Sequence, residues 1–264
     1  MNIAIIGYGK MGKLLEERAI EKGHNVIAAI DPHIAQEKTV RRTILYKSIN
    51  ALADLRNLDL AIEVTHPDIA PGNLLFLAKE KIATVTGTTG WYSRLPEIST
   101  AFEKTETSLF WAPNFSLGMN LFYRLAEYAA EIFDPFGEYD AGGFESHHNK
   151  KADSPSGTAK TIAEKVLSKM TRKKKVVYEM LDRPPAPDEL HFASLRVGSV
   201  QGLHSVIFDS SSDTIEITHT LRSREGLAAG ALKAAEWLFA KKDSGVFTMD
   251  DMLADILQHN RGQI

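Results

Sequence analysis

A glycine-rich turn near the N-terminus restricts the fold of this chain more than any other feature. An apolar run over residues 2–6 leads into Gly7-Tyr8-Gly9-Lys10-Met11-Gly12, which matches the pattern G-x-G-x-x-G. In that pattern the first glycine allows a tight turn, the second lets a pyrophosphate approach the backbone, and the third lets a helix pack closely on a strand. The sequence therefore predicts a buried strand, a turn and a helix whose N-terminus binds a diphosphate.

Strands and helices continue to alternate through the first half of the chain. A helix with an apolar stripe ends just before Gly23, and a second strand over residues 26–30 is stopped by Asp31-Pro32. Further strands are predicted at 58–64, 82–86 and 109–112, with a helix at 69–80. This alternation indicates an α/β fold with a Rossmann-type doubly wound parallel sheet.

The pattern changes after Pro113-Asn114. Helices are predicted at 117–133, from Thr158 onward, at 227–241 and at 249–258, and strands at 139–146, 192–197, 203–208 and 214–221. Consecutive strands joined by short turns indicate an open antiparallel or mixed sheet, and we predict a smaller α+β domain with an open mixed sheet. The run Lys173-Lys174-Lys175 is interpreted as a solvated helix end rather than a binding patch.

The composition excludes several classes of protein. The 264 residues suit one large or two modest domains, and a net charge of −3 gives no general attraction to nucleic acid or to an anionic membrane. The absence of cysteine excludes disulfides, thiolate nucleophiles and thiolate metal sites. No uninterrupted apolar run approaches the roughly 18 residues of a membrane span, and the N-terminus lacks the basic segment of a signal peptide. We therefore expect a cytoplasmic protein.

The acidic residue after the second strand bears on the choice of dinucleotide. Asp31 lies near the usual spacing of about twenty residues from the glycine motif, where a carboxylate accepts hydrogen bonds from the ribose hydroxyls and repels a 2′-phosphate. NADH is therefore favoured over NADPH. A binding site for the 2′-phosphate of NADPH remains an alternative, because four basic residues follow downstream: His33, Lys38, Arg41 and Arg42. The alternative is a tight turn in an α/β protein that binds no nucleotide.

Two segments after later strands are candidates for the rest of the cofactor site. Gly87-Thr88-Thr89-Gly90 follows the strand at 82–86, and ligands of open α/β sheets lie beyond the carboxyl ends of the strands. Its glycines and threonines can hold ribose or the nicotinamide amide, although a flexible loop explains this segment equally well. Thr65-His66-Pro67 ends the preceding strand and is expected to line the same cleft, but His66 alone is more typical of a loop histidine.

Residues 147–158 carry most of the acid–base chemistry. His147-His148-Asn149-Lys150-Lys151 precedes Ser156-Gly157-Thr158, which can open a helix whose free N–H groups bind anions. Proton donors beside an anion site indicate a small acidic substrate. Three alternatives stay open: a surface histidine pair, Glu145 with His147 as metal ligands lacking a third spaced ligand, and a turn that serves only as an N-cap.

Together these motifs resemble the dihydrodipicolinate reductase family, nearly end to end. The block HHNKKADSPSGTAK at 147–160 is very specific, whereas the glycine motif is not. Residues 112–120 resemble the family's domain-crossing hinge. The other matching segments are GYGKMG at 7–12, GTTG at 87–90, Arg196-Val197-Gly198, Gly202-Leu203-His204, Ile217-Thr218-His219 and Ser223-Arg224.

The resemblance implies reduction of 4-hydroxy-tetrahydrodipicolinate to tetrahydrodipicolinate by NADH or NADPH, in the diaminopimelate route to lysine. Hydride would reach ring carbon C4, and His147 or Lys151 would donate the proton. His148 would contact the substrate, and the implied carboxylate-binding residues are Ser156, Gly157 and Thr158. The cofactor-binding residues would be Gly7, Gly9, Lys10, Met11, Gly12, Asp31, Thr65, Gly87, Thr88, Thr89, Ala112, Asn114 and Phe115, and no metal is implied.

The resemblance also implies a domain organisation. Residues 1–116 and 225–264 would form the dinucleotide-binding domain, and 117–224 a substrate-binding and oligomerisation domain whose sheets pair into a homotetramer; no nucleic-acid or membrane partner is implied. The chain departs from the family pattern at Glu63 and His66, where Asp and Arg are commoner, at Leu203, where Glu is usual, and at 225–228. These departures bear on cofactor contacts and domain closure rather than on the reaction.

Two other functions explain parts of the sequence. A Rossmann dehydrogenase acting on an amino acid or a sugar accounts for the glycine motif and Asp31, but not for the joined segment at 147–158. A redox-sensing regulator without catalysis would lack the proton donors or carry a nucleic-acid-binding segment. The sequence contains His147 and Lys151 and shows no basic recognition helix.

Overall fold

The computed structural model describes the backbone of residues 1–34, 38–40 and 43–261, and the side chains of residues 1–34 and 43–258. The side chain of Lys38 and all of Arg41 and Arg42 lie outside this described part. The chain forms two compact units, Met1–Leu117 with Glu225–Ile264, and Gly118–Arg224. The first boundary predicted from the sequence lies one residue earlier, after residue 116.

The described residues form the following elements. The strands are β1 (Asn2–Ile6), β2 (Asn25–Ile30), β3 (Lys38–Val40), β4 (Thr43–Tyr46), β5 (Leu60–Glu63), β6 (Thr84–Thr86), β7 (Leu109–Trp111), β8 (Asp140–His147), β9 (Lys175–Val177), β10 (Glu189–Arg196), β11 (Leu203–Asp209), β12 (Thr214–Thr220) and β13 (Val246–Phe247). The helices are α1 (Lys10–Glu21), α2 (Ala70–Lys79), α3 (Leu95–Lys104), α4 (Leu117–Phe133), α5 (Gly157–Lys169), α6 (Glu225–Ala240) and α7 (Met249–Arg261), with 3-10 helices at Ile49–Asp54 and Tyr92–Arg94. None of these described helices combines the length and the apolar character of a membrane span.

The first unit contains a sheet whose described strands lie in the order β13-β7-β6-β5-β1-β2-β4-β3. Neighbouring strands pair in parallel, except that β3 is antiparallel to β4 at one edge. The chain winds outward from β1 on one side and from β5 on the other. Ligands of such sheets bind beyond the carboxyl ends of the strands at this switch point. The predicted Rossmann-type doubly wound fold is confirmed.

Apolar layers cover both faces of this sheet. Ile3 and Ile5 of β1 pack in the layer that contains α1 and α6, whereas Ala4 and Ile6 pack in the layer that contains α2 and α3. Successive residues of a strand point to opposite faces, and these four side chains are at most 2% exposed. Burial on both faces explains why β1 appears in the sequence as a continuous apolar run.

The second unit has a mixed sheet in the order β12-β11-β8-β10-β9. β8 pairs in parallel with β10 and antiparallel with β11. α4 and α5 contribute Phe122 and Ile162 to a core shared with Phe192 of β10. Gly143 makes the close packing possible, because a Cβ there would lie 2.5 Å from the Phe192 ring. This is the α+β unit with a mixed sheet that the sequence predicts.

Several short elements are absent from the sequence-based prediction, namely β3, β4, β9, β13 and α3. The strands have two to four residues, which is too few for a periodicity to show. α3 buries only Ile98 and Phe102, one pair at the spacing i, i+4. Such a pair does not distinguish a helix from a loop.

The interpretation of Lys173-Lys174-Lys175 as a solvated helix end is wrong. α5 ends at Lys169, and Lys173 is 5% exposed. Its ammonium donates to the carbonyl of Glu189 at 2.8 Å and lies 2.5 Å from Asp140 Oδ1. A buried ammonium needs such partners. Lys175 then begins β9.

Candidate active site

The glycine turn follows β1 at the switch point of the first sheet. Gly7 has a φ of +94°, which side chains rarely adopt, and its amide donates to the carbonyl of Ile30 at 2.8 Å. A Cβ at Gly7 would lie 2.4 Å from the carbonyl oxygen of Val64, and a Cβ at Gly12 would lie 2.1 Å from the carbonyl oxygen of Gly7. Both positions therefore require glycine.

Gly9 leaves the N-terminus of α1 open. It is the N-cap residue, no side chain caps the helix there, and a Cβ would meet no described atom within 4 Å. The first N–H groups of the helix therefore face space that an anion can fill. Lys10 is exposed and Met11 half-buried at the same turn. These residues fit the diphosphate of a dinucleotide.

A buried carboxylate anchors the same turn. Glu16 of α1 is 2% exposed and accepts hydrogen bonds from the hydroxyls of Tyr8 and Thr43, each at 2.5 Å. Tyr8 is the second residue of the glycine turn, so this contact joins the turn to its own helix. Glu16 is not predicted from the sequence, because it belongs to no recognisable motif.

Asp31 stands directly after β2, the strand beside β1. Its amide donates to the carbonyl of Tyr46 at 3.0 Å, and its Oδ1 accepts from the amide of His33 at 2.9 Å. These contacts hold the carboxylate at the strand end where the ribose of a dinucleotide is expected. The ribose contact itself stays a prediction.

Glu63 connects the segments after β5 and β6. Its fully buried carboxylate accepts from the hydroxyl and the amide of Thr65, the latter at 3.1 Å, and from the hydroxyl of Thr86 at 2.7 Å. The amide of Thr65 also donates to Thr88 Oγ1 at 2.8 Å. Glu63 replaces the family's commoner Asp and supports both segments of the predicted cofactor site. His66, the other departure nearby, is exposed.

The loop at 87–90 is held by Thr88. This residue is 6% exposed, and its carbonyl accepts from Trp91 Nε1 at 2.7 Å. Gly87 lies against Phe115, whose ring would be 3.5 Å from a Cβ at Gly87. Thr89 is exposed. Thr88 therefore supports the loop, and Thr89 is the threonine that is accessible to a ligand.

The segment after β7 is part of the core of the first unit. Ala112 and Phe115 are 2% and 5% exposed, and Asn114 Oδ1 accepts from the amide of Ser116 at 2.8 Å. Gly230 of α6 packs directly on this segment, because a Cβ there would lie 1.7 Å from the carbonyl oxygen of Phe115. The C-terminal part of the chain thus helps to shape the predicted nicotinamide pocket.

Strand register assembles the acid–base residues of the second unit. His147 ends β8, Arg196 is its partner on β10, and His204 on β11 is the partner of Glu145. Glu145 and His147 are two residues apart on one strand, so their side chains share one face of the sheet. Residues far apart in sequence therefore form one polar cluster.

Glu145 is the centre of this cluster. Its fully buried carboxylate accepts hydrogen bonds from His147 Nδ1, from Arg196 Nη2 at 2.8 Å and from the amide of Ser156 at 3.2 Å. Burial alone would raise the pKa of Glu145, but the hydrogen bonds from Arg196, His147 and Ser156 outweigh it and hold that pKa below its usual value. The carboxylate is therefore ionised at neutral pH.

His204 packs against His147 with ring centroids 5.1 Å apart and an interplanar angle of 75°. His204 is 3% exposed, and its burial, with the charge of His147 as a second cause, lowers its pKa to about 3. Its Nε2 lies 3.4 Å from Ser156 Oγ. His204 is therefore neutral at physiological pH and cannot serve there as a charged acid.

The loop after β8 carries the predicted lysine. Lys151 Nζ lies 2.7 Å from Asp153 Oδ1, and the hydrogen bond from Lys151 lowers the pKa of Asp153. Arg196 Nη2 donates to the carbonyl of Asp153 at 2.6 Å, so the guanidinium that binds Glu145 also holds this loop. Among the described atoms, His148 Nδ1 is buried without a hydrogen-bond partner.

In the turn that opens α5, some polar groups are hydrogen-bonded within the protein and others are exposed to solvent. Ser156 is 2% exposed, its amide donates to Glu145, and its Oγ caps the helix by accepting from the amide of Ala159 at 3.1 Å. Gly157 is exposed, and a Cβ there would meet no described atom within 4 Å. The structure thus leaves Gly157 and the half-buried Thr158 as the residues at which a carboxylate can approach the helix N-terminus.

Three side chains of the cluster also lie close enough together to be considered as metal ligands. Glu145, His147 and His204 each offer one ligand atom, and these atoms lie within 4.8 Å of one another. However, the guanidinium of Arg196 already supplies positive charge to the same carboxylate at 2.8 Å. A second cation there would meet electrostatic repulsion.

The residues of this cluster differ in how far the sequence predicts them. His147 and Lys151 stand out in the sequence, whereas Glu145 appears there only as an alternative metal ligand and Arg196 and His204 only within the resemblance. The spacing i, i+2 of Glu145 and His147 on a predicted strand is the signal that identifies their pairing. No local signal in the sequence identifies Arg196 as the partner of both Glu145 and the loop that carries Lys151.

The first unit has a Rossmann-like NAD-binding fold with its glycine turn, and the second, α+β unit carries an acid–base cluster. Comparison with known families is more specific. Residues 1–115 match the family described as "Dihydrodipicolinate reductase, N-terminus", and residues 118–253 match "Dihydrodipicolinate reductase, C-terminus". The chain belongs to the dihydrodipicolinate reductase family, as the sequence motifs predict.

Curated relatives cover nearly the whole chain. It is 36% identical over 259 residues to the 4-hydroxy-tetrahydrodipicolinate reductase of Christiangramia forsetii, covering 98% of this chain and 100% of the relative. It is 33% identical over 265 residues to the enzyme of the same name from Archaeoglobus fulgidus, covering 96% of this chain and 100% of the relative. The chain is therefore an enzyme of an oxidoreductase family.

A solved structure shows the same fold. The dipicolinate-bound dihydrodipicolinate reductase from Paenisporosarcina sp. TG-14 superposes with a TM-score of 0.77 at 20% identity, covering 94% of this chain and 98% of that one. A probable dehydrogenase from Thermotoga maritima superposes with a TM-score of 0.60 at 11% identity, covering 94% and 91%. These likenesses confirm the fold.

Proposed function

We propose that this protein reduces 4-hydroxy-tetrahydrodipicolinate to tetrahydrodipicolinate with NADH or NADPH, in the diaminopimelate route to lysine. The observation that carries the proposal is a buried histidine, His147, whose Nδ1 is bound by Glu145 beside the N-terminus of α5. That arrangement combines a proton donor with an anion site. The two curated relatives bear the name of this activity across their full length.

The second unit supplies partners for a cyclic dicarboxylate. Lys151 can bind one carboxylate by charge, and the backbone N–H groups of Gly157 and Thr158 can bind another at the start of α5. Ser156 shapes the turn, since its amide and hydroxyl already have partners in the protein. His148, whose Nδ1 has no partner among the described atoms, is a candidate to contact the ring or a carboxylate.

The C4 hydroxyl of the substrate must leave as water, which gives a conjugated C=C–C=N ring. A hydride and a proton then add to this system. Bound reduced nicotinamide would supply the hydride to ring carbon C4. His147 or Lys151 then protonates the resulting enamine, and a bound dianion favours the charged form of either donor. General-acid assistance of this kind contributes typically about 10²–10⁴-fold in rate.

The first unit supplies the cofactor site. The diphosphate would bind at Gly7, Gly9 and Gly12 with Lys10 and Met11 at its rim, and the ribose at Asp31. Thr65, Gly87, Thr88, Thr89, Ala112, Asn114 and Phe115 would shape the nicotinamide pocket. The Asp31 carboxylate, held by the amide of His33, favours NADH because it would repel a 2′-phosphate.

Oligomeric state and location are further parts of the proposal. The family resemblance implies a homotetramer formed through the second unit. Leu195 on β10 and Ile215 on β12 are 56% and 45% exposed, which supports association through this sheet. Light scattering of the purified protein tests the tetramer. A cytoplasmic location agrees with the use of a reduced nicotinamide cofactor.

The deciding experiment is an assay of reduced-nicotinamide absorbance, with the condensation product of pyruvate and aspartate semialdehyde as substrate. We expect rapid oxidation of NADH, slower oxidation of NADPH, and inhibition by pyridine-2,6-dicarboxylate. A folded protein that binds NADH but oxidises neither cofactor with this substrate would refute the proposal. It would direct attention to an amino-acid or sugar dehydrogenase.

A further inference from the structure

We propose that Glu145 is a positioning residue that fixes a proton on Nδ1 of His147, so that Nε2 is the atom that exchanges protons with the substrate. The inference rests on the proposed function. It adds a positioning residue, the tautomer of neutral His147 and the ring nitrogen that exchanges the proton with the substrate. His147 is 8% exposed, so its ring has little freedom to choose another partner.

The carboxylate of Glu145 is itself held rigidly. Its Oε2 contacts His147 Nδ1, while its Oε1 accepts from Arg196 Nη2 and from the amide of Ser156. The three donors come from β8, from β10 and from the turn that opens α5. A carboxylate held on three sides cannot rotate away from the imidazole.

The charge of Glu145 decides the tautomer. An ionised carboxylate has no proton to donate, so a nitrogen that hydrogen-bonds to it must carry the hydrogen. The bonds from Arg196, His147 and Ser156, which outweigh burial, keep the pKa of Glu145 below its usual value and so keep it an acceptor. Nδ1 of neutral His147 is therefore protonated, and its Nε2 carries the lone pair.

A glycine lies beside Nε2 of His147. A Cβ at Gly202 would lie 3.1 Å from this nitrogen, so the glycine keeps a side chain away from it. Gly202 has a φ of +157°, which other residues rarely adopt. A larger residue at this position would strain the backbone and crowd Nε2.

The charged and titratable groups that face His147 come from each element around it. Glu145 belongs to its own strand, Arg196 to β10 and His204 to β11, while Lys151 and Asp153 belong to the following loop. Arg196 is paired with Glu145, Lys151 is paired with Asp153, and His204 is neutral at physiological pH. Of these groups, Glu145 is the anion in contact with the imidazole.

The same carboxylate connects the proton donor to the proposed anion site. Through the amide of Ser156 it holds the turn whose next residues, Gly157 and Thr158, would receive a substrate carboxylate. One side chain thus sets the distance between the acid and the carboxylate-binding turn. Loss of such positioning should therefore lower kcat more than it lowers the affinity for the cofactor.

The first test is NMR of the imidazole nitrogens in the wild-type protein, with the His147 signals assigned by their loss in His147→Gln. We expect neutral His147 to carry its proton on Nδ1 and to have an unprotonated Nε2. The opposite tautomer would overturn the proposal. This measurement needs no activity and no destabilised variant.

The second test compares Glu145→Gln with Glu189→Gln. Glu189 is also buried and bound by an arginine, Arg183, and by a backbone amide, but among the described residues no histidine is hydrogen-bonded to it. A glutamine at 145 that keeps its oxygen toward Arg196 and Ser156 turns its NH₂ toward His147 Nδ1 and opposes protonation there. We expect kcat to fall about 10²-fold in Glu145→Gln, within the range for loss of general-acid help.

The tautomer and the split between kcat and cofactor affinity separate positioning from a purely structural role. In Glu145→Gln the NMR signals of neutral His147 should no longer show the proton fixed on Nδ1, because the NH₂ of the glutamine cannot accept it, and NADH affinity should change less than about twofold. Glu189→Gln should keep the wild-type kcat and the wild-type His147 signals. A folded Glu145→Gln protein that keeps the wild-type tautomer of His147 would overturn the proposal. If wild-type protein has no reductase activity, the proposed function fails, whereas the tautomer measurement still decides the role of Glu145.

Discussion

Arg196 lies directly opposite His147 in the parallel pairing of β10 with β8, and its guanidinium binds the carboxylate that holds this histidine. Arg196 therefore acts on the candidate acid through Glu145 rather than by contact. It also binds the carbonyl of Asp153 in the loop that carries Lys151. The two candidate proton donors are thus supported by one arginine, although neither touches the guanidinium in the described contacts.

His147→Gln should lower kcat strongly, by about 10²–10⁴-fold, and leave NADH affinity nearly unchanged, because it removes a proton donor used in the transition state. The measurement is steady-state kinetics together with NADH titration. His191→Gln is the matched control, since His191 lies on β10 of the same sheet outside the cluster. Wild-type kcat in His147→Gln would exclude His147 as the acid.

Asp31→Ala should weaken NADH binding and narrow the difference in kcat/KM between NADH and NADPH, because the carboxylate no longer accepts from the ribose or repels a phosphate. Asp54→Asn, an exposed acid in the 3-10 helix at Ile49–Asp54, serves as the control and should leave the ratio unchanged. A constant cofactor ratio in Asp31→Ala would show that Asp31 does not contact the ribose.

Glu63→Ala should weaken NADH and NADPH equally, because Glu63 supports the loops rather than contacting the ribose. The change leaves the hydroxyls of Thr65 and Thr86 without the acceptor they use, whereas the amide of Thr65 keeps Thr88 Oγ1. Each unsatisfied buried group costs about 1–3 kcal/mol, so the free energy of unfolding should fall by a similar amount. Urea unfolding and cofactor titration measure the two effects. Glu63→Gln keeps one side-chain oxygen, so its free energy of unfolding should fall less than that of Glu63→Ala. An equal fall in both variants would contradict the hydrogen-bond explanation.

His204 should make the protein less stable in mild acid. Its pKa is lowered from 6.5 to about 3 by burial, so the unfolded chain binds a proton between these values and the folded protein does not. The stabilisation is present above pH 6.5 and is lost progressively as the pH falls toward 3, at up to about 1.4 kcal/mol per pH unit.

Urea unfolding at pH 7 and at pH 5 checks this prediction. His204→Gln should lose less stability between the two pH values than wild type, whereas the exposed His33→Gln should behave like wild type. Equal losses in all three proteins would show that His204 is not buried in its neutral form.

Much of the fold follows from local signals. Gly7 and Gly12 are recognisable because their close contacts and the φ of Gly7 exclude other residues, and the apolar run before them is buried on both faces of a sheet. The specific block at 147–160 indicates the family, which the comparisons confirm. Short elements such as β13 and α3 have too few residues for a pattern to show.

The position of a charge depends on more than local sequence. Lys173 belongs to a run of three lysines that is typical of a solvated surface, yet its ammonium is buried against Asp140 and the carbonyl of Glu189. These partners lie 33 and 16 residues away in the chain. A local pattern contains no information about them.

The sequence by itself determined the glycine turn, the alternation of strands and helices, and the presence of His147 and Lys151 before a helix N-terminus. These features rest on steric limits and periodicities within a few residues. Only the tertiary structure decided that Arg196, His204 and Ser156 converge on Glu145, because the pairing of β10 and β11 with β8 sets their register. Register is chosen by the burial of whole strand faces, which is a property of the assembled sheet and not of any one segment.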